Sequence, residues 1–405
     1  MVKEWKIVVG ANYGDEGKGL ATRYFTLKAL REGRKVLNVL YNGGCQRGHT
    51  VDFPIGTRHV FHHFGSGTLD GADTYFAHQF ILNPLEFVRE GMELKELLGR
   101  FPKCLASPYC LVSTPYDMFI NRIVEDWRGR ARHGSCGYGI WETICRAKEM
   151  LDSGELKEPL FSVMAGMSDA ELMDMMFWIA HTYVPETLLW YGVDRIPDQY
   201  RELINSYTLA RNFVTDFRMM QNLCGEVSEY SQYDTYIYEG GQGLALSENC
   251  LSEYPNVTPS DTGARSALQD IRFRNHKLNF KGEDIEICYV TRPYYTRHGA
   301  GSLLGERKPE TFIPKWSEDE TNVPNPYQGE LRYAPLNGEM WKRIRRDFLA
   351  NNTDVAARVS LFVTHMQECN DQSFHIISEE NYEKHFSWTK YAEDMLDDED
   401  EERGW

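Results

Sequence analysis

The chain has 405 residues, and its 60 acidic against 44 basic side chains give a formal net charge of −16 at pH 7. This acidic balance excludes a nucleic-acid scaffold, because a polymeric phosphate backbone needs a surplus of Lys and Arg on the face that binds it, whereas a nucleotide monomer needs only a few local donors. Nine cysteines without a CxxC pair, a short N-terminal apolar run and no stretch near the roughly 18 apolar residues of a membrane span predict a cytoplasmic protein without membrane contact.

The predicted elements form an α/β pattern. WKIVVGA (5–11) predicts a buried strand because a glycine turn and then a helical pattern follow it, and KVLNVLY (35–41) predicts the next strand. Further strands, each rich in β-branched or aromatic residues, are predicted at 234–240, 285–291 and 358–365. Residues 145–225 carry a helical pattern and predict an insertion of helices beside a mainly parallel central sheet with flanking helices. We expect one domain over 1–390 and a solvated acidic tail without assigned function over 391–405.

The segment VVGANYGDEGKGLAT (8–22) places a glycine-rich turn directly after the first strand. It departs from the usual P-loop, because Lys18 is followed by Gly19 rather than by Ser or Thr. Its glycines let the backbone approach phosphate oxygens, and Lys18 supplies a positive charge that can reach terminal phosphates. Asp15 and Glu16 repel phosphate unless a cation bridges them or one of them acts as a base. The loop therefore predicts Mg²⁺, proton transfer, or both.

A second glycine-rich segment, NGGCQRGHT (42–50), follows the second strand. Open α/β sheets bind ligands at the carboxyl ends of their strands, so we expect His49 to lie at the same sheet edge as the first loop.

These two motifs resemble the Gly-Asp-Glu-Gly-Lys-Gly and Gly-Gly-x-x-x-Gly-His-Thr loops of the adenylosuccinate synthetase family. The resemblance continues, in the family's order, at GSCGYGI (134–140), YEGGQGLAL (238–246), YPNVTPSDTGA (254–264) and YTRHGAG (295–301). It implies a fold related to that of the P-loop NTPases, a homodimer, and a two-step ligation. In that reaction a nucleoside triphosphate phosphorylates the 6-oxygen of a purine monophosphate, and the amine of L-aspartate then displaces the phosphate.

The resemblance also implies roles for individual residues. Asp15 takes the purine N1 proton and holds Mg²⁺ together with the carbonyl of Gly48, while His49 and Lys18 stabilise the transferring phosphoryl group. Donor-nucleotide contacts are expected from Gly14, Glu16, Gly17, Lys18, Gly19, Gly48, His49, Thr50 and Gln367. Contacts with the purine monophosphate are expected from Asn12, Asp15, Gln46, Ser135, Cys136, Arg146, Gln242 and Thr258, and contacts with aspartate from Gln328, Gly329 and Arg332.

Two of these positions carry a qualification. Cys136 places a thiol where the family has a hydroxyl, and a thiol is the weaker donor to phosphate. Arg146 lies close to where the family places an arginine that reaches into the neighbouring subunit's site. Its alternative is a solvated charge on a helix.

Two departures from the family bear on the substrates. Where ordinary members read guanine with Thr-Lys-x-Asp, this chain has Thr-His-Met-Gln (364–367). The amide of Gln367 both donates and accepts, which suits adenine and predicts ATP or dATP. In the segment NPYQGELRYAPLN (325–337), Glu330 and Leu331 replace two arginines, and the loss of an arginine beside the ribose points to a deoxyribonucleotide.

Together these departures resemble the phage branch of the family, which acts on dGMP and would work in the host cytoplasm. The retained Asp15 favours the alternative, an adenylosuccinate synthetase acting on IMP. A more remote alternative is a nucleotide-binding switch without ligase activity. Residues 10–19 lack the G-x-G-x-x-G fingerprint, which argues against a dehydrogenase.

Overall fold

An eight-stranded parallel sheet forms the centre of the computed structural model. The structure describes residues 3–53, 56–153, 159–225, 227–274, 284–317, 328–351, 357–378 and 380–382. The strands in these ranges are β1 (Glu4–Gly10), β2 (Val36–Leu40), β3 (His49–Asp52), β4 (Arg58–Phe61), β5 (Asp73–Phe76), β6 (Cys104–Ala106), β7 (Cys224–Gly225), β8 (Thr235–Gly243), β9 (Ile285–Thr291), β10 (Tyr294–Arg297), β11 (Arg332–Pro335) and β12 (Arg358–Val363).

The helices flank this sheet or form the predicted insertion. They are α1 (Lys18–Arg31), α2 (Pro84–Leu98), α3 (Pro115–Arg128), α4 (Ile140–Ser153), α5 (Phe161–Ala165), α6 (Asp169–Trp178), α7 (Val184–Trp190), α8 (Asp198–Ile204), α9 (Tyr207–Leu223), α10 (Arg265–Arg274), α11 (Glu339–Asn351) and α12 (Asp371–Ile377). A π-helical turn (Ile179–Tyr183) joins α6 to α7.

The order across the sheet is β12-β9-β1-β8-β2-β5-β6-β7, and each neighbouring pair runs parallel. β8 comes from the second half of the chain, yet it lies between β1 and β2, where Tyr238 pairs with Ile7 on one side and Val39 on the other. Two small antiparallel sheets of two strands each, β3–β4 and β10–β11, follow β2 and β9 along the chain. The loops after β1, β2, β8, β9 and β12 consequently share one edge of the sheet.

The predicted α/β class with a mainly parallel sheet is confirmed. Each of the five predicted strands is present with ends that differ by at most three residues, and helices α4 to α9 occupy the predicted insertion. In the central sheet the sequence analysis missed β5, β6 and β7, which have four, three and two residues, and it also missed the four-residue strands β3, β4, β10 and β11 of the two small sheets. The proposed domain boundary stays a prediction, and the acidic tail lies outside the described residues.

Both faces of the sheet are covered, which is why its central strands read as continuous apolar runs. α1 packs on the face that carries Val8 and Ile237, whereas α10 and α11 pack on the face that carries Ile7 and Val9. All residues of β2 are buried, as are all but the first residue of β1. In the part of the chain that the structure describes, no helix combines the length and apolar character needed to span a bilayer.

Candidate active site

The loop between β1 and α1 is shaped by residues in the left-handed region. Gly14 and Gly17 have φ values of 107° and 91°, which glycine adopts without strain. Asp15 lies between them with φ of 60°, a value that is uncommon for a residue with a Cβ. α1 begins at Lys18, and no described side chain caps its first turn. The N–H groups and positive end of this helix therefore remain available to an anion.

Glu16 braces this loop from inside. Its carboxylate accepts hydrogen bonds from the backbone N–H groups of Asn12 (2.8 Å) and Gly14 (3.1 Å) and from Lys18 Nζ (3.2 Å). Glu16 and Lys18 are only 1% and 2% exposed. The side chain of Glu16 thus binds other groups of the protein, so only its backbone could make the expected contact with the donor nucleotide. Lys18 would have to break its ion pair with Glu16 to reach a phosphate.

His49 belongs to a buried charged network beside the start of α1. Its Nδ1 lies 2.5 Å from Glu239 Oε1, and Arg47 Nη2 lies 3.1 Å from the other carboxylate oxygen. Ser66 donates to the same carboxylate through both its hydroxyl and its backbone N–H. Burial and the neighbouring Arg47 lower the pKa of His49 to about 4. The pKa of Glu239 falls to about 2 despite its burial, because Arg47 and His49 favour the carboxylate.

This network fixes the orientation of the imidazole. The Glu239 carboxylate accepts a hydrogen bond from Nδ1–H, so Nε2 is the nitrogen that faces away from it. Within the described chain Nε2 is buried and has no hydrogen-bond partner. A Cβ on Gly19 would lie 3.1 Å from His49 Cβ, so the second loop packs directly on the first turn of α1. Gly48 is exposed and Thr50 half-buried next to it.

Gln46 and Gln242 meet at Gly43. A Cβ built there would lie 2.7 Å from Gln46 Nε2 and 3.3 Å from Gln242 Oε1. Both amide groups carry buried polar atoms without a partner in the described residues. Buried amides are normally satisfied, so these two groups fit the expected contacts with a polar ligand. Thr258 is half-buried, and its backbone N–H donates to Leu246.

The loop between α3 and α4 carries Ser135 and Cys136. Ser135 Oγ donates to Asn121 Oδ1 (2.9 Å), and the backbone N–H groups of Gly134 and Ser135 donate to Glu125. Burial raises the pKa of Cys136 to about 11, so its thiol stays protonated at neutral pH. A Cβ on Gly134 would lie 2.7 Å from the Cα of Gly299, which shows how closely this loop approaches the loop after β10.

The turn after β12 packs against the phosphate loop. Thr364 Oγ1 donates to the carbonyl of Glu16 (2.8 Å). A second connection runs from the carbonyl of Asp15 through Arg292 and Tyr294 to Glu368, with distances of 2.6, 3.2 and 2.6 Å. Gln367 is exposed between these two anchors. Its position is fixed relative to the phosphate loop, as an interaction with the donor base requires.

The residues expected to contact aspartate lie on and beside the antiparallel β10–β11 pair. Arg332 pairs with Glu306 (2.9 Å) and donates to the carbonyl of Gly301 (2.9 Å), and its Nε is buried without a partner in the described chain. The carbonyl of Gln328 accepts the N–H of Gly299, and Gly329 is exposed with φ of 72°. Residues 325–327 of this predicted segment lie outside the described residues. Glu330 is exposed, whereas Leu331 packs on an apolar cluster.

The structure corrects two expected contacts. Asn12 is 1% exposed, and its amide donates to Thr291 and accepts from Arg343 at 3.0 and 2.8 Å, so in this structure the amide is directed into the protein rather than into an open site. Arg146 is fully buried and forms a two-pronged ion pair with Asp117 at 2.7 and 2.8 Å. It joins α4 to α3 and is neither a solvated charge nor a group directed at another subunit.

The donor set fits Mg²⁺ supplied with a nucleotide. No group of three His, Cys, Asp or Glu side chains suited to a metal occurs among the described residues. Mg²⁺ is usually held by one or two carboxylates together with substrate phosphates, so a complete protein cage is not required. Asp15 has a side chain that is 20% exposed, and Gly48 is exposed. A carboxylate and a carbonyl oxygen are hard ligands of the right type.

The sequence analysis missed several residues that the fold brings to these loops. Glu239 and Ser66 orient His49, Arg292 holds the carbonyl of Asp15, and His298 Nε2 lies 3.7 Å from Asp15 Oδ2. Glu239 could have been recognised from the sequence, because a carboxylate inside the predicted buried strand DTYIYEG needs a partner. Ser66 and Arg292 lie outside the quoted motifs, and the motif YTRHGAG (295–301) contains His298 without indicating its partner.

The family of this chain follows from comparison with known proteins. The family profile described as "Adenylosuccinate synthetase" matches residues 7–319. The chain belongs to the adenylosuccinate synthetase family. The synthetase of Mesoplasma florum is 28% identical over 306 residues, and that of Mycolicibacterium smegmatis is 33% identical over 310 residues. Each alignment covers 74% of this chain and 64% of the relative, so this adenylosuccinate synthetase homologue matches less than two thirds of those proteins.

Two solved structures share the fold. The fully ligated adenylosuccinate synthetase of Plasmodium falciparum superposes with a TM-score of 0.61 at 18% identity, over 88% of this chain and 76% of that one. The succinoaminodeoxyadenylate synthetase of cyanophage S-2L, bound to dGMP and to dATP as an energy donor, gives a TM-score of 0.57 at 16% identity. That match covers 93% of this chain and 89% of the phage protein.

Proposed function

We propose that this chain is a ligase that joins L-aspartate to the 6-position of dGMP, with ATP or dATP as phosphoryl donor and Mg²⁺ as metal. The product is N6-succino-2-amino-2′-deoxyadenylate, a precursor of 2-aminoadenine DNA. The observation that carries the ligase proposal is the meeting of the Asp15 and His49 loops at the start of α1, close to buried amide atoms of Gln46 and Gln242 that have no partner among the described residues. A carboxylate base, an oriented imidazole and a helix N-terminus together suit phosphoryl transfer.

In the first step Asp15 takes the proton from purine N1. As the N1–H bond breaks, negative charge moves to the 6-oxygen, which attacks the terminal phosphorus of the donor, and the nucleoside diphosphate leaves. Lys18 and the N-terminus of α1 are the groups that would stabilise the charge that develops on the phosphates. Since His49 Nδ1 is committed to Glu239, Nε2 donates only when the ring is doubly protonated, and the negative charge of the phosphates favours that state.

Mg²⁺, held by Asp15 and the carbonyl of Gly48, would neutralise phosphate charge. In the second step the aspartate amine forms the bond to C6, and the C6–O bond breaks to release inorganic phosphate. Arg332 is the proposed anchor of an aspartate carboxylate, because a guanidinium can bind a carboxylate through two parallel hydrogen bonds. Glu306 occupies it in the structure, so aspartate has to displace Glu306.

Two observations favour dGMP with an adenine donor over IMP with GTP. Gln367 replaces the guanine-reading carboxylate on a turn that is anchored to the phosphate loop at two points. Glu330 and Leu331 put an exposed carboxylate and a packed apolar side chain where arginines are expected beside the ribose. The likeness to the phage structure with dGMP and dATP is compatible with this choice at the level of the fold.

The test is a direct assay of product formation. The purified protein is incubated with L-aspartate, Mg²⁺ and ATP, with dGMP in one sample and IMP in another, and the succinylated nucleotide is detected by mass spectrometry. We expect product from dGMP. The Lys18→Ala variant provides the background of donor hydrolysis.

Product from IMP alone would instead establish the second candidate, an adenylosuccinate synthetase with an altered donor site, which the retained Asp15 favours. Donor hydrolysis without a succinylated product would leave the nucleotide-binding switch. We also propose a homodimer, and sedimentation equilibrium that returns a single 46.9 kDa chain under assay conditions would contradict it.

A further inference from the structure

His298 lies at the point where the separate parts of the candidate site meet. It follows β10, whose Thr296 Oγ1 donates to the carbonyl of Gly14 (2.9 Å) in the phosphate loop. The next residue, Gly299, packs against Gly134 of the loop that carries Ser135 and Cys136, and its N–H donates to the carbonyl of Gln328. These contacts hold the backbone of His298 in place from three sides.

The imidazole of His298 faces the Asp15 carboxylate. Nε2 lies 3.7 Å from Asp15 Oδ2, and the side chains are 14% and 20% exposed, so both reach the open part of the site. Among the described residues, His298 is the one basic side chain within ion-pair distance of this carboxylate. Arg292 binds the carbonyl of Asp15 instead and fixes its backbone (2.6 Å).

In the described part of the chain, Arg292 fixes the backbone of Asp15, whereas the partly exposed carboxylate can rotate about its side-chain torsions. A base must be held within hydrogen-bond reach of the proton that it removes, and a basic side chain within ion-pair distance restricts this rotation. Arg292 and His298 thus act on different parts of the same residue, the backbone and the carboxylate.

We propose that His298 is a positioning residue that orients the Asp15 carboxylate toward the purine N1 proton. The inference rests on the proposed function only in giving Asp15 the role of base. It applies equally to dGMP and IMP, because both carry a proton on N1.

The experiment is a double-mutant cycle between His298→Leu and Asp15→Asn, with His298→Gln as the conservative variant. Loss of a group that orients a functional side chain typically costs about 10- to 100-fold in activity. We therefore expect His298→Leu to lower kcat by roughly 10-fold or more, with the KM for the purine monophosphate changed by less than about threefold. His298→Gln retains a side-chain N–H donor and should recover most of kcat. His78→Leu, a histidine that faces Asp270 rather than Asp15, serves as the control and should leave kcat unaltered.

The decisive result is the effect of His298→Leu in the Asp15→Asn background. If His298 acts through Asp15, its removal there has no further effect on kcat, whereas independent residues give additive losses. Additive losses, or an unchanged kcat in His298→Leu, would overturn the assignment. Should the unaltered protein convert neither dGMP nor IMP, the proposed function fails and the role of His298 fails with it, an outcome that is distinct from additive losses in an active protein.

Discussion

At the scale of single residues, the carboxylates around the candidate site differ in burial and in role. Glu16 is buried and holds two backbone N–H groups of the phosphate loop together with Lys18. Glu239 is buried under His49, while Asp15 has a side chain that is 20% exposed. Burying a carboxylate without partners is costly, so the two buried acids have structural roles, whereas the partly exposed carboxylate of Asp15 is accessible from the site.

The His49→Asn variant tests the proposed role of the oriented imidazole. The neutral amide that replaces the ring could not place a cationic donor at the phosphates, so turnover should fall by roughly a hundredfold or more while the protein stays folded. Steady-state product formation and a thermal unfolding curve measure the two effects. His181→Asn, which changes an exposed histidine on the helical insertion, is the control. Equal turnover in both variants would remove His49 from the mechanism.

His63 affects the stability of the fold at acidic pH and has no proposed role in the reaction. Its ring is caged by Phe76, Phe80 and Phe87, and its Nε2 accepts the N–H of Asn83 (3.0 Å). Burial lowers its pKa from 6.5 to about 3. Between these values the unfolded chain binds the extra proton, so the free energy of unfolding rises with pH across this window.

The His63→Gln variant should lose this dependence, since an amide oxygen can accept the Asn83 bond without titrating. The slope of unfolding free energy against pH should become smaller by up to about 1.4 kcal/mol per pH unit between pH 3 and 6.5. Denaturant unfolding at several pH values measures it. Burial raises the pKa of Asp347 to about 6 and of Glu142 to about 7, which has the opposite effect, but both groups are present in both proteins. Parallel curves would contradict the role of His63.

Among the elements of the fold, short segments after strands hold the residues that we propose to select the substrates. The turn after β12 is anchored at Thr364 and Glu368, and it presents Gln367 between them. The antiparallel β10–β11 pair places Arg297 opposite Arg332 on its two strands. In both elements the backbone is held by contacts far apart in the chain, so a single side chain can be substituted there without changing the fold.

The Gln367→Asp variant should shift donor preference from ATP toward GTP. A carboxylate accepts both guanine N–H donors, whereas the amide of Gln367 suits the donor and acceptor edge of adenine. A site built for such hydrogen bonds discriminates by roughly 1–3 kcal/mol per contact, so the ratio of kcat/KM values should move at least about tenfold. Met366→Asp adds the same charge one residue away and is the control. A ratio that moves equally in both variants would place Gln367 outside the donor site.

The Arg332→Ala variant should weaken aspartate binding selectively. Loss of a bidentate carboxylate contact should raise the KM for aspartate by roughly tenfold or more, with much smaller effects on either nucleotide. Glu306→Gln provides the opposing test, because it frees Arg332 from its partner and should lower this KM or leave it unaltered. If Arg332→Ala leaves the KM for aspartate unchanged, Arg332 has only a structural role on β11.

In the molecule as a whole, the candidate site draws on strand ends from the first, middle and last parts of the chain. β8 and β9 enter the sheet on either side of β1, and β12 adds the outer edge next to β9. Residues near positions 15, 49, 239, 298 and 367 thereby come together. Ligand binding should consequently stabilise the entire fold, because bound ligand favours the folded state alone.

ATP with Mg²⁺ should therefore raise the free energy of unfolding by about 2.7 kcal/mol at a free nucleotide concentration of about 100 times Kd. The Lys18→Ala variant should lose most of this gain, because Lys18 starts α1 at the phosphate loop. Lys28→Ala removes an exposed lysine from the same helix and should keep the gain. Thermal or denaturant unfolding with and without ATP measures the gain in each variant. Equal stabilisation of both variants would show that the nucleotide does not bind at Lys18.

Local sequence patterns were enough to predict the α/β class, the five long strands and most of the candidate loops. Apolar runs mark strands that are buried on both faces, and glycines at 14 and 17 mark a backbone conformation that other residues resist. Such signals are local, so they can be recognised without knowing the rest of the fold. The strands β5, β6 and β7 were missed because four or fewer residues carry too little pattern.

The choice of side-chain partners, in contrast, emerges only when the chain is folded. Arg146 is buried against Asp117, and Asn12 is enclosed by Thr291 and Arg343, although both were expected to contact substrate. Sequence pattern gives a residue's type and element, but burial and hydrogen bonding depend on groups up to hundreds of positions away. The pairing of His298 with Asp15 exists for the same reason, because β9 brings the β10 segment beside the end of β1.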